Sequence, residues 1–134
     1  MIRAGNYTYL RRTLRRDPCR AEAFSESDIE DYVQAISRPG ALTAGINYYR
    51  ALLRGGPWGL RQVLRRIDAP VLVIWGEHDP YLGVELAAPD PTWVPHARVE
   101  YLPDAGHWVQ NDRPEQVNAL LLDFLNSPLP RVSG

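Results

Sequence analysis

Apolar positions follow different patterns in the two halves of the chain. In the first half they recur at helical spacing in two segments, and a short polar segment that ends before Asp17-Pro18 precedes them, so we predict three helices. The first covers residues 5–16, the second begins with the capping-box pair Ser27 and Glu30, and the third covers 41–54. We expect the Gly55-Gly56-Pro57 run to end the third helix.

The second half carries strand patterns. Val71–Trp75 is a continuous apolar run, typical of a strand buried on both faces in a parallel sheet. A shorter strand is predicted over Val99–Leu102. Asp112 and Glu115 flank Pro114 in the arrangement of a helix cap and first turn, which predicts a last helix. The order of helices, strand, connection, strand and helix is that of the final part of an α/β sheet.

Two strands are too few for a stable sheet, because both apolar faces and an edge would stay open. We therefore expect an incomplete sheet whose earlier strands are missing from this chain. Charge also divides the sequence. Residues 1–66 carry 12 Arg and 6 acidic residues, whereas residues 67–134 carry 3 Arg and 10 acidic residues. This asymmetry predicts two segments that join near Asp68.

Composition narrows the class of protein. The length of 134 residues fits one ordinary domain, and the 45% hydrophobic content is that of a globular protein. No apolar run approaches the roughly 20 residues of a membrane-spanning helix, and no signal peptide is evident. A net charge of −1 does not favour nucleic acid or an anionic membrane, and the single Cys19 excludes an internal disulfide. We expect a cytoplasmic protein.

The candidate chemistry lies in the loops that follow the two predicted strands. Asp79 follows the first strand and His107 follows the second, and adjacent parallel strands would bring these loops together. Asp79 could then orient the His107 ring as a general base. On spacing alone, an ordinary loop aspartate and a structural histidine explain these residues equally well. His78 beside them lacks the short paired spacing of zinc motifs, so no metal is expected.

Three sequence stretches, 71–79, 102–108 and 113–118, together resemble the C-terminal end of α/β-hydrolase-fold enzymes. In that family the nucleophile comes first in the chain, the acid follows a late strand and the histidine follows the last one. The resemblance covers about residues 67–126 and implies that Asp79 is the triad acid and His107 the base.

Residues 37–50 are similar to the cap region of epoxide hydrolases, in which a tyrosine hydrogen-bonds to the epoxide oxygen. That position is Tyr49, which we expect to point inward on a stripe with Leu42, Ile46 and Leu53. A core tyrosine bonded to a carbonyl is the alternative without the resemblance. The resemblance implies that residues 1–66 are part of a helical cap and that residues 67–134 are the end of the hydrolase core. We expect Trp108 to pack beside the site.

The resemblance implies a small hydrophobic epoxide-like substrate, opened to a diol through a covalent alkyl-enzyme ester without a cofactor. The chain contains no nucleophile elbow of the type Gly-x-Asp/Ser-x-Gly, so we expect it to be inactive alone. Three alternatives stay open: a haloalkane dehalogenase, a serine esterase of the same fold, and a non-catalytic remnant or interaction module. The sequence does not give the oligomeric state.

Overall fold

The computed structural model describes residues 5–127, except for the side chains of residue 52 and of residues 55–63. The chain divides into two compact units. The first holds the chain up to Leu14 together with Phe24–Arg65, and the second holds Arg15–Ala23 together with the chain from Arg66 onward. This division lies beside the predicted join near Asp68, but it assigns residues 15–23 to the second unit.

The first unit contains helices α1 (Thr8–Arg16), α2 (Glu26–Ser37) and α3 (Ala41–Val63). The capping box at the start of α2 uses Ser25 and Asp28, so the predicted pair Ser27 and Glu30 is wrong by two residues. Both pairs have the same spacing. The structure uses Ser25 because its extended backbone (φ −71°, ψ 165°) lets the hydroxyl accept the Asp28 N–H while the Asp28 carboxylate accepts the Ser25 N–H.

Helix α3 is longer than predicted, since it continues through Gly55-Gly56-Pro57 to Val63. The expected break at these residues is therefore wrong. A proline inside a helix removes one backbone hydrogen bond and crowds the preceding turn, which can bend a helix without ending it. Helix propensity is a weak prior, and α3 also packs against α2.

The second unit is built on a parallel pair of strands, β1 (Val71–Gly76) and β2 (Ala97–Leu102), as predicted. Val71 pairs with Ala97 at one end of the register and Gly76 with Leu102 at the other. The connection between them includes one short 3-10 turn. The five β1 residues before Gly76 are only half-buried, because no third strand flanks the pair in the described part of the chain.

Helices α4 (Val109–Asp112) and α5 (Pro114–Asn126) follow β2, and both pack on β1. Three buried residues form the core of this unit, and three half-buried ones pack against them: Leu102, Ala105, Val117, Ile74, Val109 and Leu120. The prediction that Asp112 caps the last helix is wrong. Arg113 takes the N-cap position without a side-chain cap, and the Asp112 side chain is buried instead.

None of the helices in the described part of the chain has the length and apolar character that a bilayer crossing requires.

Candidate active site

The loops that follow β1 and β2 are joined by backbone hydrogen bonds. The Glu77 N–H donates to the Leu102 carbonyl at 3.1 Å, and the His78 N–H donates to the Ala105 carbonyl at 3.0 Å. Because the strands are parallel and paired to their ends, their carboxyl ends lie side by side. The two loops therefore form one continuous structure.

Gly76 allows this close approach. A Cβ at this position would lie 2.3 Å from the Gly106 carbonyl oxygen and 2.6 Å from that of Ala105. Any side chain would force the two loops apart, since both contacts are with backbone atoms. In the sequence, a glycine directly after an apolar strand indicates such a close approach of two backbone segments.

The structure brings Asp79 and His107 together, as expected from parallel pairing. Asp79 Oδ2 lies 2.9 Å from Nδ1 of the His107 ring. The other oxygen, Oδ1, accepts hydrogen bonds from the backbone N–H groups of Tyr81 at 2.8 Å and Leu82 at 3.1 Å. The Asp79 side chain is 8% exposed and the His107 side chain 36%, so the carboxylate is enclosed while the imidazole reaches solvent.

Burial alone would raise the pKa of Asp79, but the hydrogen bond with His107 and the two from the Tyr81 and Leu82 amides outweigh it. The pKa of the carboxyl is therefore held below its usual value. An ionised carboxylate only accepts hydrogen bonds, so the proton between the two groups belongs to Nδ1. In the neutral ring this leaves the lone pair on Nε2, which is the tautomer that a general base requires.

Two aromatic rings make T-shaped contacts with the imidazole. The Tyr81 ring centroid lies 5.1 Å from that of His107 at 76°, and the Trp108 centroid lies at 5.4 Å and 86°. Trp108 therefore lies beside the site, as predicted, whereas the position of Tyr81 is not predicted by the sequence pattern. The Tyr81 hydroxyl also donates to the Asp17 carboxylate, which lies in the Arg15–Ala23 part of the second unit.

Tyr49 belongs to the first unit, and its side chain is 67% exposed. Its ring makes an edge-to-face contact with Tyr48, with centroids 5.5 Å apart. The expectation that Tyr49 points inward is wrong for the chain as described. Leu42 and Ile46 of the same stripe are half-buried, but Leu53 is 81% exposed, because none of the residues that the structure describes covers that end of the stripe.

Among the residues that the structure describes, no group of three or more histidine, cysteine or acidic side chains is placed to hold a metal ion. Cys19 is exposed. The partial burial of its sulfur and the nearby Asp112 charge raise the pKa of this thiol. A raised pKa reduces the thiolate fraction, so Cys19 has none of the activation typical of a nucleophilic cysteine.

The fold and this loop arrangement define an α/β hydrolase. The alpha/beta hydrolase family matches residues 2–120 of the 134-residue chain. The chain therefore belongs to the alpha/beta hydrolase family.

Individual relatives within this family are named epoxide hydrolases. Epoxide hydrolase 3 of Xenopus tropicalis is 39% identical over 102 residues, which are 75% of this chain and 27% of the relative. Human Epoxide hydrolase 4 is 37% identical over 99 residues, which are 73% of this chain and 26% of the relative. An epoxide hydrolase variant from Bacillus megaterium superposes with a TM-score of 0.78 at 25% identity, covering 94% of this chain and 46% of the solved one.

The chain thus spans about a quarter of the length of these two curated relatives, at 27% and 26%. The resemblance to part of an epoxide hydrolase is confirmed. So is the fold class, an incomplete parallel α/β-hydrolase sheet with flanking helices.

Proposed function

We propose that Asp79 and His107 are the acid and the base of a catalytic triad, and that the complete enzyme hydrolyses small hydrophobic epoxides to diols. The observation that carries this proposal is the 2.9 Å contact between Nδ1 and Oδ2. It occurs in loops at the carboxyl ends of parallel strands, in a chain whose relatives are named epoxide hydrolases.

The first step forms a covalent ester. An aspartate carboxylate attacks one epoxide carbon and breaks the bond between that carbon and the ring oxygen. The 134 residues contain no elbow motif that would carry this aspartate, so another part of the complete enzyme must supply it. The oxygen leaves as an alkoxide. Tyr49 protonates it, since a phenol is a far stronger acid than an aliphatic alcohol.

The second step hydrolyses that ester. His107 Nε2 removes a proton from water, and the resulting hydroxide attacks the ester carbonyl. The bond between the carbonyl carbon and the diol oxygen then breaks, and that oxygen takes the proton of the carboxylic acid formed with it, which releases the diol and regenerates the carboxylate. The proton held by His107 returns to the Tyr49 phenolate left by the first step. The ionised Asp79 stabilises the His107 imidazolium formed in this step.

Residues 1–66 would then be part of a helical cap that carries Tyr49, and residues 67–134 the end of the hydrolase core. The exposure of Tyr49 suits this assignment, because a phenol that serves a substrate must reach a cleft completed by other parts of the enzyme. Trp108, in T-shaped contact with His107, would supply an apolar wall for the substrate. A cytoplasmic location belongs to the same proposal.

A chimera tests the proposal. The region of Xenopus tropicalis Epoxide hydrolase 3 that matches this chain is replaced by the chain itself, so that the relative supplies the missing strands. We expect diol formation from a small aryl epoxide. In the His107→Ala chimera we expect the covalent ester to accumulate, seen as the mass of the enzyme plus substrate, with diol release slowed at least about a hundredfold.

Matched variants separate the roles. Tyr49→Phe should slow ester formation, whereas Tyr48→Phe, which changes the neighbouring phenol in the same way, should leave it within about twofold. His96→Ala is the control for His107, since His96 is an exposed histidine outside the two loops. Diol release at the unchanged rate by the His107→Ala chimera would overturn the assignment of the base.

A further inference from the structure

Asp112 is the most deeply enclosed charged residue in the described part of the chain, with 1% of its surface exposed. Each of its carboxylate oxygens accepts a hydrogen bond from a backbone N–H. Oδ2 accepts from Gly106 at 2.9 Å, and Oδ1 accepts from Arg20, 92 residues earlier in the chain, at 3.0 Å. A buried carboxylate must have such partners, since its desolvation is costly without them.

The contact with Gly106 links Asp112 to the candidate base, because Gly106 directly precedes His107. We propose that Asp112 is a positioning residue that holds the His107 loop so that Nδ1 meets the Asp79 carboxylate. The proposal rests on the proposed function for its catalytic consequence, but its structural part concerns only this chain. Asp112 acts through the backbone: among the described residues, no hydrogen bond joins its carboxylate to the imidazole.

The backbone of Asp112 is itself held in place by hydrogen bonds. Its own N–H donates to the Trp108 carbonyl at 2.8 Å, and its carbonyl accepts from the Arg113 guanidinium at 3.1 Å. Arg113 also pairs with Asp104, at the start of the His107 loop. The Asp104 ion pair is exposed and contributes little to holding the loop, so the buried Asp112 carboxylate is the contact that holds the loop at Gly106.

The substitution Asp112→Asn tests this role with almost no change in volume. An amide offers one acceptor oxygen and two N–H donors, so it can satisfy either the Gly106 or the Arg20 N–H while its donor group faces the other. A buried donor left without an acceptor disfavours the native arrangement. The loop should then move away from Asp112, and the contact between Asp79 and His107 should loosen although both residues are unchanged.

Proton NMR of the 134-residue chain reads this contact directly, since an Nδ1–H bonded to a carboxylate gives a resonance far downfield. We expect Asp112→Asn to broaden that resonance beyond detection and to reduce the hydrogen-exchange protection of the Gly106 amide at least about tenfold. The matched control is Asp104→Asn, an isosteric change in the same loop at an exposed ion pair, which should preserve both signals. An unchanged downfield resonance in a folded Asp112→Asn chain would overturn the proposal.

The unmodified chain provides a second test in case the variant does not fold. If one carboxylate holds both segments, the Gly106 and Arg20 amides should be protected from exchange and should open together, with similar protection factors. Exchange of the Gly106 amide at the rate of an unprotected peptide would equally overturn the proposal.

The chimera gives the catalytic readout. Because His107 serves ester hydrolysis, Asp112→Asn should slow that step roughly a hundredfold, the loss typical of a misplaced catalytic group, while ester formation changes by less than about twofold. Equal slowing of both steps would show general damage to the fold and would contradict a positioning role. If the parent chimera makes no diol although the NMR prediction holds, the proposed function fails and the positioning of His107 stands.

Discussion

Replacing Gly76 by alanine should separate the two loops that carry Asp79 and His107. The φ angle of Gly76 lies outside the left-handed region, so the backbone itself tolerates a side chain. The cost is steric, because the new methyl group would lie 2.3 Å from the Gly106 oxygen and 2.6 Å from the Ala105 oxygen. Ordinary contacts between carbon and oxygen are longer by most of an ångström, and neither backbone atom can rotate away.

The magnitude follows from the two consequences of that displacement. Overpacking typically costs about 1–3 kcal/mol. Moving the loop also strains the hydrogen bonds that Glu77 and His78 donate across it, each with a net value of about 1 kcal/mol. We therefore expect Gly76→Ala to lower the free energy of unfolding by about 3 kcal/mol or more.

Urea denaturation followed by circular dichroism measures this change. With a slope of about 2 kcal/mol/M, the midpoint should fall by about 1.5 M, or the variant should be unfolded in water. Gly45→Ala is the matched control, since a Cβ at Gly45 in helix α3 meets nothing within 4 Å. That change should stabilise the helix by about 0.5–1 kcal/mol. If Gly76→Ala unfolds at the midpoint of the parent chain, the close approach of the loops is wrong.

Two further predictions concern charge and capping. The pKa of Asp79 is lowered in the folded state, so its stabilising contribution is complete above its unfolded value of about 3.9 and is lost as the pH falls through the lower folded value. Asp79→Asn should flatten this acid-side loss in urea midpoints, and an unchanged pH profile would contradict the assignment. Ser25→Ala should cost about 1 kcal/mol by removing the capping box with Asp28. Ser27→Ala should lower the free energy of unfolding much less in the same urea experiment. A larger loss for Ser27→Ala than for Ser25→Ala would show that Ser27 and Glu30 form the capping box after all.

The strands and the loops that follow them were predictable because their signals are local. A run of five apolar residues ended by glycine defines β1, and parallel pairing then places the next loop beside it. The contact between Asp79 and His107 follows from that geometry. The chemistry assigned to the pair comes from the family resemblance and stays a prediction.

The errors arose where the deciding partner is distant or absent. Asp112 has the local spacing of a helix cap, but its hydrogen-bond partner Arg20 lies 92 residues away, and no local pattern encodes that. Tyr49 lies on an apolar stripe that the described residues leave partly uncovered. At the start of α2, Ser25 and Ser27 offer equivalent capping patterns, and only the backbone conformation distinguishes them.

The contact between Arg20 and Asp112 has a consequence for any dissection of this protein. Arg15–Ala23 belongs with the strands although Phe24–Arg65 intervenes, so the strand-bearing unit is assembled from two separate stretches of chain. Joining residues 92 apart costs on the order of 4 kcal/mol of chain entropy, which the contacts of the short stretch must offset. A fragment that starts at Arg66 would lack the Arg20 N–H donor. The Asp112 carboxylate, which is buried in the complete chain, would then be exposed on one side. Domain boundaries for expression should therefore be drawn before Arg15.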